Sequence, residues 1–240
     1  MVVLVISAIK KDLDMKNIIA IIWDFDKTLI NGYMQDPIFK DYNVNPHEFW
    51  TEVNALPKKY MKEQHVKVNP DTIYLNQFIR YAQSGKFEGL NNAKLKSYGE
   101  RQNFYAGIPA IFKHTKEMLK NDPVCEEYNI KVEHYIVSTG FAEVIRGTEL
   151  MNYVENIWGC ELIEDEEHKI INEIGFTMDN STKTKAIFEI NKGVNKEKDI
   201  TVNSKLPDEL RRVDFHNMIY IADGPSDIPA FSVVKGRGGA

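Results

Sequence analysis

Cysteine is scarce in this chain: Cys125 and Cys160 are the only two in 240 residues. That is too few for a disulfide scaffold, and they lack metal-ligand spacing, so both read as reduced thiols of a cytoplasmic protein. The six histidines (His47, His65, His114, His134, His168 and His216) are scattered without a paired motif, which argues against a zinc centre. No apolar run approaches the roughly 20 residues that span a bilayer. The apolar opening, residues 1–9, has no basic leader, and residues 1–14 are expected to form a loosely attached extension ahead of an alternative start at Met15. Charge of one sign is also lacking. A net charge of −5 disfavours a general nucleic-acid or anionic-membrane surface and leaves small molecules as the expected partners. What is present is ordinary for a globular chain, with 43% hydrophobic and 27% charged residues. Its length suits one large domain, or a core with a smaller insert.

The organising stretch is Ile18-Ile19-Ala20-Ile21-Ile22-Trp23 followed by Asp24-Phe25-Asp26-Lys27-Thr28. Six apolar residues, mostly β-branched, predict a strand buried on both faces, as in a parallel sheet. Two carboxylates then arrive at its C-terminal end, where open α/β sheets bind ligands. Residues i and i+2 of a strand face the same way, so Asp24 and Asp26 can converge on one point. Two anions there repel unless a cation or a proton lies between them. Mg²⁺, which uses one or two carboxylates together with substrate phosphate, is the economical answer.

This stretch resembles the nucleophile motif of the haloacid dehalogenase superfamily of phosphohydrolases. The resemblance implies that Asp24 attacks phosphorus, that Asp26 is the general acid and base, and that the Phe25 backbone carbonyl helps to hold Mg²⁺, with Asp26 contributing through its backbone or from one layer further out. It also implies a Rossmann-like parallel-sheet α/β core with a helical cap domain inserted after the first catalytic strand. The expected division is 15–30 and 111–240 for the core and 31–110 for the cap.

The remaining motifs follow in order. His134-Tyr135-Ile136-Val137 reads as a second buried strand, ending in Ser138-Thr139-Gly140-Phe141. A hydroxyl and free N–H groups at a helix start make a phosphate site. The Ser-x-Gly-Phe form is similar to the phosphoserine phosphatase branch, which implies that Ser138 binds the phosphoryl group with Thr139 and Gly140 as backbone donors. Asp179 through Lys185 predict a capped helix ending at Gly193. Lys183 has Ala186, Ile187 and Ile190 at +3, +4 and +7 and so lies on the buried stripe; the resemblance implies that it neutralises nucleophile and phosphate, with Lys185 as runner-up. Met218-Ile219-Tyr220-Ile221-Ala222 predicts a strand running into Asp223-Gly224-Pro225-Ser226-Asp227. There the resemblance implies that Asp223 completes the metal site and Asp227 steadies the lysine or a metal water. Ala222 stands where the family usually has Gly.

Between the motifs, helices are expected from Pro46, with Pro57 kinking or ending the first part; from Asn69-Pro70-Asp71 to Gly85; over 92–104; and from Ile108-Pro109, with Ile111, Phe112, Thr115, Met118 and Leu119 on one side. A helix is expected over 142–157, a strand over 160–163, and a solvated acidic turn over 164–167. After Ala230 another strand is expected, where the chain instead carries Gly236-Arg237-Gly238-Gly239-Ala240, a reading in which the end is a truncation.

The function implied is a Mg²⁺-dependent phosphatase, a phosphoric monoester hydrolase working through an aspartyl-phosphate on a small phosphorylated metabolite. Alternatives are a phosphotransferase or phosphomutase using the same site, or a catalytically idle binding module. Tyr33 stands nine positions after Asp24, where phosphoserine phosphatases carry an acid, and this departure disfavours phosphoserine itself.

Overall fold

The structure is a computed structural model that describes residues 17–194 and 196–240. The expected extension, residues 1–14, lies outside the described residues. Strand β1 (Ile18–Trp23) is the central inheritance of the apolar run and is buried along almost its whole length. It pairs in parallel with β2 (Lys131–Phe141) on one side and with β5 (Met218–Ile221) on the other. β3 (Asn156–Glu164) continues the parallel set beyond β2, and β4 (Ile171–Phe176) closes that edge, giving the order β4-β3-β2-β1-β5 in a five-stranded sheet. This is the α/β, Rossmann-like sheet that the sequence predicts.

One strand departs from it. β4 runs antiparallel to β3, because the acidic turn joining them is far shorter than a parallel crossover requires. The expected helix over 142–157 is also cut short: α7 (Ala142–Arg146; α1 to α6 precede it, below) stops at Gly147. A Cβ at Gly147 would collide with the Lys96 carbonyl, and Ile157 is drawn into β3 opposite Ile136.

Helices α1 (Asp36–Asp41), α2 (Pro46–Gln64), α3 (Ile73–Gln83) and α4 (Asn92–Ser97) follow β1. Asn45 caps α2 by accepting from the His47 and Glu48 N–H groups, and the helix runs unbroken through Pro57 instead of ending there. An interior proline costs about 3 kcal/mol, and burial of Phe49, Val53 and Leu56 on the inner face offsets it. The expected helix over 92–104 is shorter: α4 tightens into a 3₁₀ turn, Tyr98–Arg101, before Phe104 pairs with Ile30. Aromatics seal this layer, with Phe39 and Phe49 centroids 4.9 Å apart and Phe78 4.9 Å from Phe141 of β2. α5 (Ala110–Lys120) buries Phe112, but Ile111 and Met118 of its expected apolar side are exposed. α6 (Pro123–Glu127) leads into β2.

α8 (Asn180–Lys192) and α9 (Ile228–Gly236) pack together beside the sheet. Beyond α9, Ala240 donates to the Met218 carbonyl and accepts from Tyr220 N–H, the bonding of a parallel neighbour on the edge of β5. That is where a further strand is expected. Among the described residues no helix is long and apolar enough to cross a membrane.

Candidate active site

Every predicted acid leaves the sheet at one end. Asp24 follows β1 and extends its ladder, its N–H donating to the Ile221 carbonyl at 2.9 Å. Because Trp23 pairs with Ile221, Asp24 and Asp223 emerge from neighbouring parallel strands. After Asp24 the chain turns sharply through Lys27, whose φ of 56° is left-handed. The Phe25 carbonyl closes this turn, accepting from the Thr28, Leu29 and Ile30 N–H groups at 3.3, 2.9 and 3.2 Å. A carbonyl saturated in this way has no lone pair directed at a metal, which corrects the assignment of Phe25 as a backbone ligand. No described backbone N–H reaches the Asp26 carbonyl, so the Asp26 backbone is the better donor.

Lys183 lies at the centre. Asp179 caps α8 in a capping box with Thr182, which fixes the first turn and directs Lys183 inward with Ala186, Ile187 and Ile190. Its Nζ donates to Asp24 Oδ1 at 2.8 Å and to Asp227 Oδ1 at 2.7 Å, and the side chain is 1% exposed. Lys185, the runner-up, is half exposed and pairs with Glu189 at 3.4 Å. Asp227 is itself fully buried and also accepts from Tyr220 Oη at 2.6 Å and Ser226 Oγ at 3.1 Å. Asp223 is exposed at the rim.

The electrostatics of the cluster are unbalanced. Burial pushes the Asp24 carboxyl up against the pull of Lys183, to about 6. Burial likewise pushes Asp26 up to about 8, against the one N–H it accepts, from Met34 at 2.9 Å, with the Asp24 charge adding to the rise. Burial works to deprotonate Lys183, but Asp24 and Asp227 outweigh it and hold the ammonium charged. One buried cation thus faces three carboxylates, and the group favours a further proton or cation. Among the described residues no three His, Cys, Asp or Glu side chains form a cage that would hold a metal by themselves. Hard oxygen donors are nevertheless available from Asp24, the Asp26 carbonyl and Asp223, a set that fits Mg²⁺, an ion that keeps several waters and completes its shell on substrate phosphate.

Ser138 is buried at the adjoining strand end. Its Oγ accepts from Gly140 N–H at 3.0 Å, so that N–H is engaged locally instead of standing free as an expected phosphate donor. The Thr139 carbonyl is held by Tyr74 Oη at 2.7 Å and Cys160 Sγ at 3.2 Å. Three contributors escape sequence reasoning: Met34, Tyr74 and Tyr220. Only Tyr220 carried a signal, since strand alternation from Met218 turns it inward.

The chain has relatives. An uncharacterized protein of Borreliella burgdorferi is 36% identical in an alignment of 233 positions that covers 92% of this chain and 79% of that protein; the chain belongs to the same family. No protein-family model matches it. Among solved structures, a HAD family hydrolase from Salmonella enterica serovar Typhi superposes with a TM-score of 0.57 at 15% identity, over 90% of this chain and 60% of that one. A phospho-aspartyl intermediate analogue of phosphoserine phosphatase gives 0.55 at 18% identity, over 93% of this chain and 85% of the other. A substrate-bound phosphoserine phosphatase gives 0.55 at 16%, over 93% and 83%. The fold is therefore that of the haloacid dehalogenase superfamily.

Proposed function

We propose that this protein is a Mg²⁺-dependent phosphohydrolase that cleaves a small phosphomonoester through an aspartyl-phosphate on Asp24. The observation that carries this reading is the buried Lys183 ammonium bridging Asp24 and Asp227, beside a second carboxyl, Asp26, pushed up to about 8. A structural ion pair needs one carboxylate per lysine. Acid–base chemistry at neutral pH needs one carboxyl charged and a neighbour still protonated.

Lys183 holds Asp24 by one oxygen and leaves the other to approach phosphorus in line. The ammonium and the Ser138 hydroxyl draw the phosphoryl oxygens together, which stabilises the charge spread over them in transfer. As the ester P–O bond breaks, Asp26 gives its proton to the departing alcohol oxygen. The resulting carboxylate then takes a proton from the water that attacks the phosphorus of the acyl phosphate, returning Asp24 free. Mg²⁺, held by Asp24, the Asp26 carbonyl and Asp223, would supply electrostatic shielding between the nucleophile and the phosphate.

The substrate is a small monophosphate lacking a free amine to be met by an acid at position 33. Tyr33 there is exposed and carries no carboxylate of its own to meet an ammonium group. A phosphatase screen across monophosphates with Mg²⁺ tests the proposal, with Asp24→Asn as the blank. Phosphate release that depends on Asp24 supports it; release unchanged in Asp24→Asn, or none from any monophosphate, contradicts it.

A further inference from the structure

Met34 lies outside every motif, yet each of its polar groups is committed. Its N–H donates to Asp26 Oδ1 at 2.9 Å, its thioether Sδ accepts from Phe141 N–H at 3.0 Å, and its carbonyl accepts from Gln102 Nε2 at 3.2 Å. The residue is wholly buried. A Cβ placed on Gly140 would collide with Met34 Sδ and Cε, so the side chain fills the space that glycine leaves beside the Ser138 loop. One residue, in the segment leaving β1 for the helical layer, therefore touches the Asp26 carboxyl through its backbone and the loop carrying Ser138 through its side chain.

We propose that Met34 is a positioning residue for Asp26, its side chain seated against Gly140 and Phe141 so that its N–H holds the Asp26 carboxyl towards the leaving group. The inference rests on the proposed role of Asp26 as general acid. Of the two carboxylate oxygens, the one bonded to the Met34 N–H acts as acceptor, which leaves the other to carry the proton. That proton passes to the alcohol oxygen as the P–O bond breaks, and the bond electrons leave with that oxygen. Thioethers are weak acceptors and Met is adaptable in shape. Sulfur here keeps the buried Phe141 N–H partnered without adding a charge beside the phosphate, and the packing fixes the backbone by volume.

The test separates leaving groups. p-Nitrophenolate departs readily without a proton, whereas an alkoxide requires one, and kcat/KM covers every step up to departure of the alcohol. Met34→Ala, Met34→Leu, Asp26→Ala and the double variant Met34→Ala/Asp26→Ala are compared on p-nitrophenyl phosphate and on the best alkyl monophosphate from the screen. Misplacing a catalytic group by about 1 Å costs on the order of 10²-fold. Met34→Ala should therefore lose about 10²-fold in kcat/KM on the alkyl ester and less than about threefold on the aryl ester. The alkyl loss should fall mainly on kcat, and the double variant should be no worse than Asp26→Ala, because both act through one group. Met34→Leu keeps the volume and loses only the sulfur acceptor; it should fold and show the same split, smaller. Equal losses on both esters in Met34→Leu, or losses that multiply with Asp26→Ala, overturn the proposal and make Met34 merely structural. If Asp26→Ala shows the split and neither Met34 variant does, the positioning role alone fails. If Asp26→Ala shows no split, the acid role of Asp26 fails and the role of Met34 goes with it.

Discussion

Lys183→Met keeps an unbranched stem in place and deletes the charge. In the parent, the Nζ lies 2.8 Å from Asp24 and 2.7 Å from Asp227 in a site where none of the three side chains is more than 9% exposed. Breaking a buried pair by removing one partner costs about 3–5 kcal/mol, because the remaining charge stays desolvated. Here two carboxylates remain and face each other, so the upper part of that range is expected at pH 8. The loss must shrink in acid. In the parent the Asp24 carboxyl, pushed up by burial, titrates near 6 instead of its ordinary 3.8; the folded chain then holds this proton after the unfolded chain has released it, and Asp24 lowers stability as pH rises from about 4 to 6. Without the ammonium that carboxyl moves higher still, and the decline continues past pH 6. At pH 5 Asp24 is protonated in both folded proteins and can donate to Asp227, so the two should differ by about half as much as at pH 8. Urea unfolding of parent and variant at pH 5, 6.5 and 8 in chelator measures this. A loss below about 1 kcal/mol at pH 8, the worth of an exposed pair, or an identical loss at pH 5 and 8, would refute the reasoning.

Three further outcomes are expected. Mg²⁺ at about 100 times its Kd should stabilise the parent by about 2.7 kcal/mol and Asp223→Asn by much less; thermal unfolding with and without the ion reads this, and equal shifts in both would remove Asp223 from the metal site. His134 is buried with Nδ1 accepting from Trp23 Nε1 at 3.1 Å and Nε2 against Thr115 Oγ1 at 2.9 Å, and burial, with help from the Lys116 charge, lowers it to about 4. The unfolded chain takes up that proton near 6.5 and the folded chain does not, so stability contributed by neutral His134 is complete above about 6.5 and falls by about 3 kcal/mol as pH drops to 4; urea unfolding of His134→Gln across this window should lack that component, and parallel curves for parent and variant would contradict it. Tyr220→Phe removes one of the donors to buried Asp227 and should cost about 1.5–3 kcal/mol, the worth of a hydrogen bond to a charge; a variant as stable as the parent would show that Asp227 is satisfied without it.

The parts of this molecule that a sequence announces are those where local pattern and global position agree. Ile18 to Trp23 could hardly be anything but a buried strand, and acids set directly after it, and again after Met218 to Ile221, had to emerge at one sheet end once the strands were parallel. Lys183 was legible over Lys185 because helical spacing placed it with Ala186, Ile187 and Ile190. What escaped reading depends on contacts between distant residues. β4 carries little apolar alternation and forms because a short turn folds it back on β3. The helix after Ala142 ends at Gly147, where the Lys96 carbonyl packs so closely that only glycine fits, a long-range contact the sequence does not record. The resemblance implies that the Phe25 carbonyl holds a metal, but the left-handed turn at Lys27 brings three N–H groups onto it. Met34 and Tyr74 supply a backbone N–H to Asp26 and a phenol to the Thr139 carbonyl from residues outside the motifs, contacts that no local pattern announces.

The most direct measurement is acid quenching of the protein during incubation with Mg²⁺ and a monophosphate, followed by peptide mapping of any phosphorylated residue by mass spectrometry. With p-nitrophenyl phosphate, whose leaving group departs without a proton, the account predicts a phosphoryl group on Asp24, absent in Asp24→Asn and accumulating in Asp26→Ala, where hydrolysis of the acyl phosphate is slowed. Rapid turnover with phosphate found on a different residue, or continuing undiminished in Asp24→Asn, would contradict it.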